Sequence, residues 1–303
     1  MDVMNLSVSL PYQREERMRN MGPLEGKIAL VAGASRGAGR GIAVELGKAG
    51  ATVYITGRSV RGKSTQDWPG TLDETLSQIE SCGGTGVAVR CDHTRDAEVE
   101  ALIARIHDEQ GRLDILVNNV WAGNELPIEG EPFWTLPLRH WDNMFTAGVR
   151  AQLVTNRFAV PLMREQKSGV ILHTTFWDDN KYIGHFYYDL AKNALNRMAY
   201  GLSIELKKDG IAVLAVSPGW MRTELVLQHF GTDENRWREV EALKQTESPH
   251  YVGCAVCALA ADPDVIRKGG RVWPVGQLAK EYGFTDIDGR QVPVFHVPDP
   301  EQE

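Results

Sequence analysis

The chain has 303 residues, four cysteines and a formal net charge of -7. That length builds a full hydrophobic core without disulfides or metals, and the acidic balance argues against a surface made to neutralise a nucleic-acid backbone. No apolar run approaches the roughly 18 residues needed to span a bilayer, so a cytoplasmic protein with reduced thiols and a small-molecule partner is expected.

Residues 1–22 have neither a basic n-region nor a sustained apolar h-region, so they do not read as a signal peptide. They read as a flexible or partner-docked N-terminal extension, or as sequence ahead of a start at Met21. From Gly26 onward the runs "KIALVAG", "ATVYITG", "TGVAVRCD", "LDILVNN", "GVILHTT" and "IAVLAVSPG" each read as a buried strand. Between them "GRGIAVELGKAG", "TLDETLSQIESCGG", "RDAEVEALIARIHDEQG", "RHWDNMFTAGVRAQLVTNRFAVPLMREQ" and "AKNALNRMAYGLSIELKKDG" have helical spacing. Repeated βα units predict an α/β fold with a doubly wound parallel sheet, helices on both faces and ligands at the carboxyl ends of the strands. Residues 23–275 form the single expected domain, and 276–303 a tail packed on it or on a neighbouring subunit. Three connections exceed the usual two to six residues and mark functional loops or decoration: "SVRGKSTQDWPG", "WAGNELPIEGEPFWTLP" and 220–249.

The first strand is followed by "AGASRGAGRGIA", with Gly33, Ser35, Arg36, Gly37 and Gly39 forming a turn into a helix. Glycines at that place let backbone approach a pyrophosphate, whose charge meets amides at the helix N-terminus. An acid at the end of the second strand would select NAD; Gly57 stands there instead, with Arg58 beside it. A guanidinium suits the 2'-phosphate of NADP, and Arg36 could flank the same group. Asp92 after the third strand and Asn118 at the end of the fourth are placed for the cofactor, or are ordinary turn-formers.

The glycine turn, "NNVW", Tyr188 and Lys192 as YxxxK, and "SPGWMRTE" occur in order after the right strands. Together they resemble the short-chain dehydrogenase/reductase family, over about residues 26–270. The tail "ALAADPDVIRKGGRVWPVGQLAKEYGFTDIDGRQVP" and the "FW…LRHWD" loop are closest to the branch of dehydrogenase/reductase family member 1. The resemblance implies a Rossmann-type sheet of about seven strands, an NADP(H)-dependent oxidoreductase, and a homodimer or homotetramer through the two long helices. It also implies Tyr188 as general acid or base and Lys192 as the cation that stabilises the phenolate and holds the nicotinamide ribose. Tyr187 has Ala191 rather than a lysine four residues on, so it packs or lines the pocket.

Two departures stand out. The family's substrate-binding serine falls on Thr175 when counted back from Tyr188, and on Phe176 when counted along the strand; Thr175 is preferred for its hydroxyl. The relay asparagine of the family falls on Gly148. Pro218, Gly219 and Thr223 resemble the segment that clasps the nicotinamide carboxamide.

Trp121, Phe176, Trp177 and Trp220 are candidates for an apolar or planar substrate pocket, although tryptophans also anchor long loops. Asp178 and Asp179 read as a solvated turn. Cys254 and Cys257 read as core residues, and His173, His185 and His229 form no ligand set with them, so no metal is expected. Three functions are compatible: a reductase of a small lipophilic or secondary-metabolite carbonyl, a catalytically lapsed NADP(H)-binding regulator or scaffold, and an epimerase or lyase using bound cofactor.

Overall fold

Seven parallel strands form one sheet: β1 (Ile28–Ala32), β2 (Thr52–Gly57), β3 (Thr85–Arg90), β4 (Ile115–Asn118), β5 (Gly169–Thr174), β6 (Ile211–Ser217) and β7 (Val272–Pro274). Their spatial order is β3-β2-β1-β4-β5-β6-β7, so the winding reverses between β1 and β4. The computed structural model describes residues 22–126, 130–179 and 181–297. No helix among them is long and apolar enough to cross a membrane.

Because successive strand side chains point to opposite faces, each central strand feeds two cores. Ala29, Val31, Leu214 and Val216 pack beneath α1 (Gly37–Lys48), α7 (Pro249–Ala261) and α8 (Val275–Tyr282). Ile28, Leu30, Val213 and Ala215 pack beneath α3 (Asp96–Gln110), α4 (Ala151–Glu165) and α5 (Phe186–Leu206). The other α-helices of six residues or more are α2 (Leu72–Ser81) and α6 (Glu224–His229). β3 departs from expectation: it is an edge strand, and its residues are exposed or half-buried. The long helical run before β5 is not uniform either. Asp142–Arg150 adopts π register before α4 begins, a local widening often found beside functional sites.

α1 and α7 cross closely because two glycines face each other. A Cβ on Gly41 would collide with the Pro249 carbonyl and stand 2.8 Å from the His250 nitrogen, and one on Gly253 would stand 2.7 Å from the Gly41 oxygen. Cys257 packs against the same core.

Residues 276–297 fold back onto the sheet and its helices. Leu278 and Ala279 are fully buried, and the Tyr251 hydroxyl donates to the Val292 carbonyl at 3.0 Å. Arg222, also fully buried, lies 3.4 Å from Asp286 and 2.9 Å from Glu234, with its guanidinium 4.2 Å from the Trp237 ring centroid. Asp286 further accepts from the Ser248 amide at 2.8 Å and from the Ser248 hydroxyl. Asp178 is likewise not a solvated turn residue. It is buried, and its carboxylate accepts from His296 Nδ1 at 2.8 Å and from the Val297 amide at 2.7 Å, which ties the tail to the loop after β5.

Glu247 sits inside this layer with one carboxylate oxygen unpartnered. Burial pushes its carboxyl up to about 8, against the pull of the Gly219 amide. Gly41→Ala is expected to destabilise the fold by about 1–3 kcal/mol in chemical denaturation, since the helices must separate to admit the methyl group. The folded Glu247 keeps its proton to about pH 8 while the unfolded side chain loses it near 4.5, so wild-type stability falls as pH rises through that window. Glu247→Gln should therefore gain on wild type across it, read as thermal midpoints at about pH 5 and about pH 8.

Candidate active site

The reversal of strand order opens a crevice at the carboxyl ends of β1 and β4. A cleft of about 340 Å³ runs from there across the end of the sheet. At one end lies the glycine turn. Gly33 (φ +82°) and Gly37 (φ +54°) take left-handed backbone that L side chains rarely adopt, and both line the cleft with Ser35 and Arg36. Gly39 lies beneath the turn rather than on the cleft, where a Cβ would stand 2.6 Å from the Asn119 side-chain amide.

The Gly37 amide, at the head of α1, donates to Glu224 Oε2 at 2.7 Å, and Glu224 also pairs with Arg40 at 3.1 Å. A carboxylate oxygen thus stands where this turn would hold a phosphate oxygen. Next to it, Arg36 Nη2 donates to Ser59 Oγ (2.8 Å) and to the Gly70 carbonyl (3.0 Å), while its buried Nε has no partner. Arg58 pairs with Glu125 at 3.1 Å. Thr65 and Trp68, from the long connection after β2, close this end of the cleft beside Ser59. Both the left-handed glycine cradle and the orphaned guanidinium nitrogen fit the phosphates of a dinucleotide.

Asp92 lines the cleft, and its Oδ1 accepts from the Thr94 amide (3.0 Å) and hydroxyl (2.7 Å). Burial works to raise its carboxyl, but those bonds and the nearby Arg58 and Arg95 hold it below the usual range. Asn118 is not on the cleft. Its side chain is fully buried and donates to Asn156 Oδ1 at 2.7 Å, because strand parity turns it towards α4. Asn119 faces the cleft instead, donating to the Gly33 carbonyl at 2.8 Å and accepting from Thr174 Oγ1 at 2.9 Å.

The other end carries Tyr188 and Lys192, one turn apart on α5, with Thr175, Phe176 and Trp121 on the facing loops. Burial, then the charge of Asp189, pushes the Tyr188 phenol above its usual range, and burial draws the Lys192 ammonium down to about 7. The Thr175 hydroxyl lies 2.7 Å from Asn196 Oδ1 and 3.1 Å from the Lys192 carbonyl, so its one proton is directed at α5. Phe176 lies 6.5 Å from Tyr188 and 6.1 Å from Phe295 of the tail, measured between ring centroids. Tyr187 is buried against His140.

Pro218, Gly219 and Thr223 line the cleft, and the Thr223 side chain caps α6. Trp177 and Trp220 do not line it: the Trp177 backbone bonds Ser217 Oγ at 3.0 Å, and Trp220 packs on Phe230. Sequence reasoning missed Ser59, Thr65, Trp68, His93, Asn119 and Glu224 on the cleft wall. Glu224 directly follows Thr223 at the start of a helix, a signal that was available. Buried His93 is drawn down to about 4 by desolvation and sits between the hydroxyls of Thr56 (2.8 Å) and Thr155 (2.9 Å), a placement visible only in three dimensions.

Comparison with known proteins gives a consistent answer. A family model described as enoyl-(acyl carrier protein) reductase matches residues 33–269. The chain is 35% identical over 278 residues to human dehydrogenase/reductase SDR family member 1, covering 89% of this chain and 86% of that one. It is 30% identical over 238 residues to the hydroxynaphthalene reductase arp2 of Aspergillus fumigatus, covering 78% and 79%. Among solved structures, a short-chain dehydrogenase from Mycobacterium thermoresistibile superposes with a TM-score of 0.76 at 25% identity, covering 92% of this chain and 98% of that one. The parallel seven-stranded sheet, the glycine turn at its switch point and the extent of these matches together make the chain a member of the short-chain dehydrogenase/reductase family of oxidoreductases.

Proposed function

We propose that this oxidoreductase is an NADP(H)-dependent carbonyl reductase in which Tyr188 is the general acid. The observation that carries the reading is the meeting of Tyr188 and Lys192 at one end of a cleft whose other end is the glycine turn. When bound, the dinucleotide supplies a hydride. The chain supplies a proton: a phenol held above its usual range keeps that proton until substrate oxygen gains negative charge, and a lysine on the next turn offsets the charge left on the phenolate. Pro218 and Gly219, on the cleft wall, would hold the nicotinamide end, and Trp121 and Phe176 would shield the reacting carbon from water.

Cofactor preference follows from the other end. Gly57 leaves no acid to bind a ribose 2'-hydroxyl, and Arg36, Arg58, Ser59 and Thr65 present donors there. The aromatic lining favours a flat lipophilic carbonyl substrate, a class matched by the name of the hydroxynaphthalene reductase relative. Leu153 on α4 and Leu190, Tyr200 and Ile204 on α5 are exposed, which supports a homodimer or homotetramer formed through these helices.

A catalytically lapsed NADP(H)-binding protein is the second reading. It is favoured by the Thr175 proton, which points to Asn196 rather than into the cleft.

Tyr188→Phe should lower ketone reduction by about 10²- to 10⁴-fold with NADPH binding retained; tight binding without turnover by the wild type on any ketone would favour the second reading. Arg58→Ala should raise KM for NADPH by about 10- to 100-fold and leave that for NADH nearly unchanged. Because Lys192 is cationic only below about pH 7, kcat/KM for reduction should decline as pH rises through that value.

A further inference from the structure

Lys192 is the only cation of the candidate reacting pair, yet it has no anionic partner among the described residues. Among the described residues no carboxylate pairs with its ammonium, and burial is the one cause acting on it. What the ammonium does meet is an indole. Lys192 Nζ lies 4.0 Å from the Trp121 ring centroid and 5.4 Å from that of Tyr188. The face of an indole attracts a cation, most strongly where water is excluded.

The indole is held in a slot made of two glycines. A Cβ on Gly148 would stand 2.7 Å from Trp121 Cε3 and Cζ3, and a Cβ on Gly123 would stand 2.6 Å from Cε2 and 2.7 Å from Nε1. Neither position admits a side chain while the ring is in place. Trp121 Nε1 also donates to Asn124 Oδ1 at 3.3 Å, and its ring meets the Tyr188 ring edge-on at 5.4 Å. Gly148 lies within the π-register run, so backbone, glycines and ring form one fitted unit.

We infer that Trp121 is the positioning residue for Lys192: its indole face fixes the ammonium beside Tyr188 and occupies the volume in which the asparagine implied by the resemblance would stand at position 148. The missing asparagine is then a consequence of the tryptophan rather than a lesion. The inference rests on the reading of Tyr188 and Lys192 as the reacting pair, but its geometry is testable without turnover.

The experiment is NMR of side-chain-labelled lysines in the full chain without cofactor, combined with kinetics of Trp121→Phe and Trp121→Leu. Methylene protons next to Lys192 Nζ, assigned with Lys192→Arg, should be shifted upfield by the indole in wild type, partly in Trp121→Phe and not in Trp121→Leu. With a ketone and NADPH, Trp121→Leu should lose roughly 2- to 30-fold in kcat while NADPH binding holds, and Trp121→Phe should retain most of it. An unshifted Lys192 in wild type would overturn the inference even if the leucine variant failed to fold. So would a leucine variant that changes KM alone. A shifted lysine in a protein that reduces no ketone would support the platform and count against the reductase reading.

Discussion

Where the strand order reverses between β1 and β4, the two helix layers diverge, and one side chain spans the resulting gap: Asn119 donates to the Gly33 carbonyl at 2.8 Å and accepts from Thr174 at 2.9 Å. That pair of bonds ties the carboxyl ends of β1, β4 and β5 together. It fixes the height of the glycine turn, and with it the direction in which the Gly37 amide points. Gly39 has no room for a side chain because the Asn119 amide fills the space beneath the turn. The glycine-turn end and the Tyr188 end of the cleft thus share one point of attachment.

Burial then separates the chemistry of the two ends. At the Tyr188 end it acts on groups with few hydrogen-bond partners, so a phenol is held protonated and a lysine is brought near neutrality. At the opposite end guanidinium, carboxylate and hydroxyl groups are bonded to one another, and Asp92 stays below its usual range despite desolvation. Low dielectric is common to both; the number of partners decides which protonation state each group prefers.

The strand and helix pattern of this fold was legible because its central strands are apolar on both faces and its helices keep helical spacing, two of them, α3 and α8, ending on a left-handed glycine. The burial of β3 was not, since a run such as "TGVAVRCD" has the same composition at an edge as in the middle of a sheet. At the site, motif spacing placed the glycine turn, Tyr188 and Lys192 on the cleft wall. It failed by one residue at Asn118, where a pair of identical side chains gives no hint of which faces α4 and which the cleft. Asp178 was misread for another reason: its partners, His296 and Val297, lie more than a hundred positions away, and local turn chemistry is all a short window reveals.

The carboxylate of Glu224 on the Gly37 amide changes how occupancy of the turn should be reckoned. An anion arriving there does not fill a vacant nest; it exchanges with one already neutralised by the amide and by Arg40. Its affinity is a difference between two anions, so a weakly coordinating ion such as chloride competes poorly, whereas a multidentate phosphate ester has the extra contacts needed to displace the incumbent.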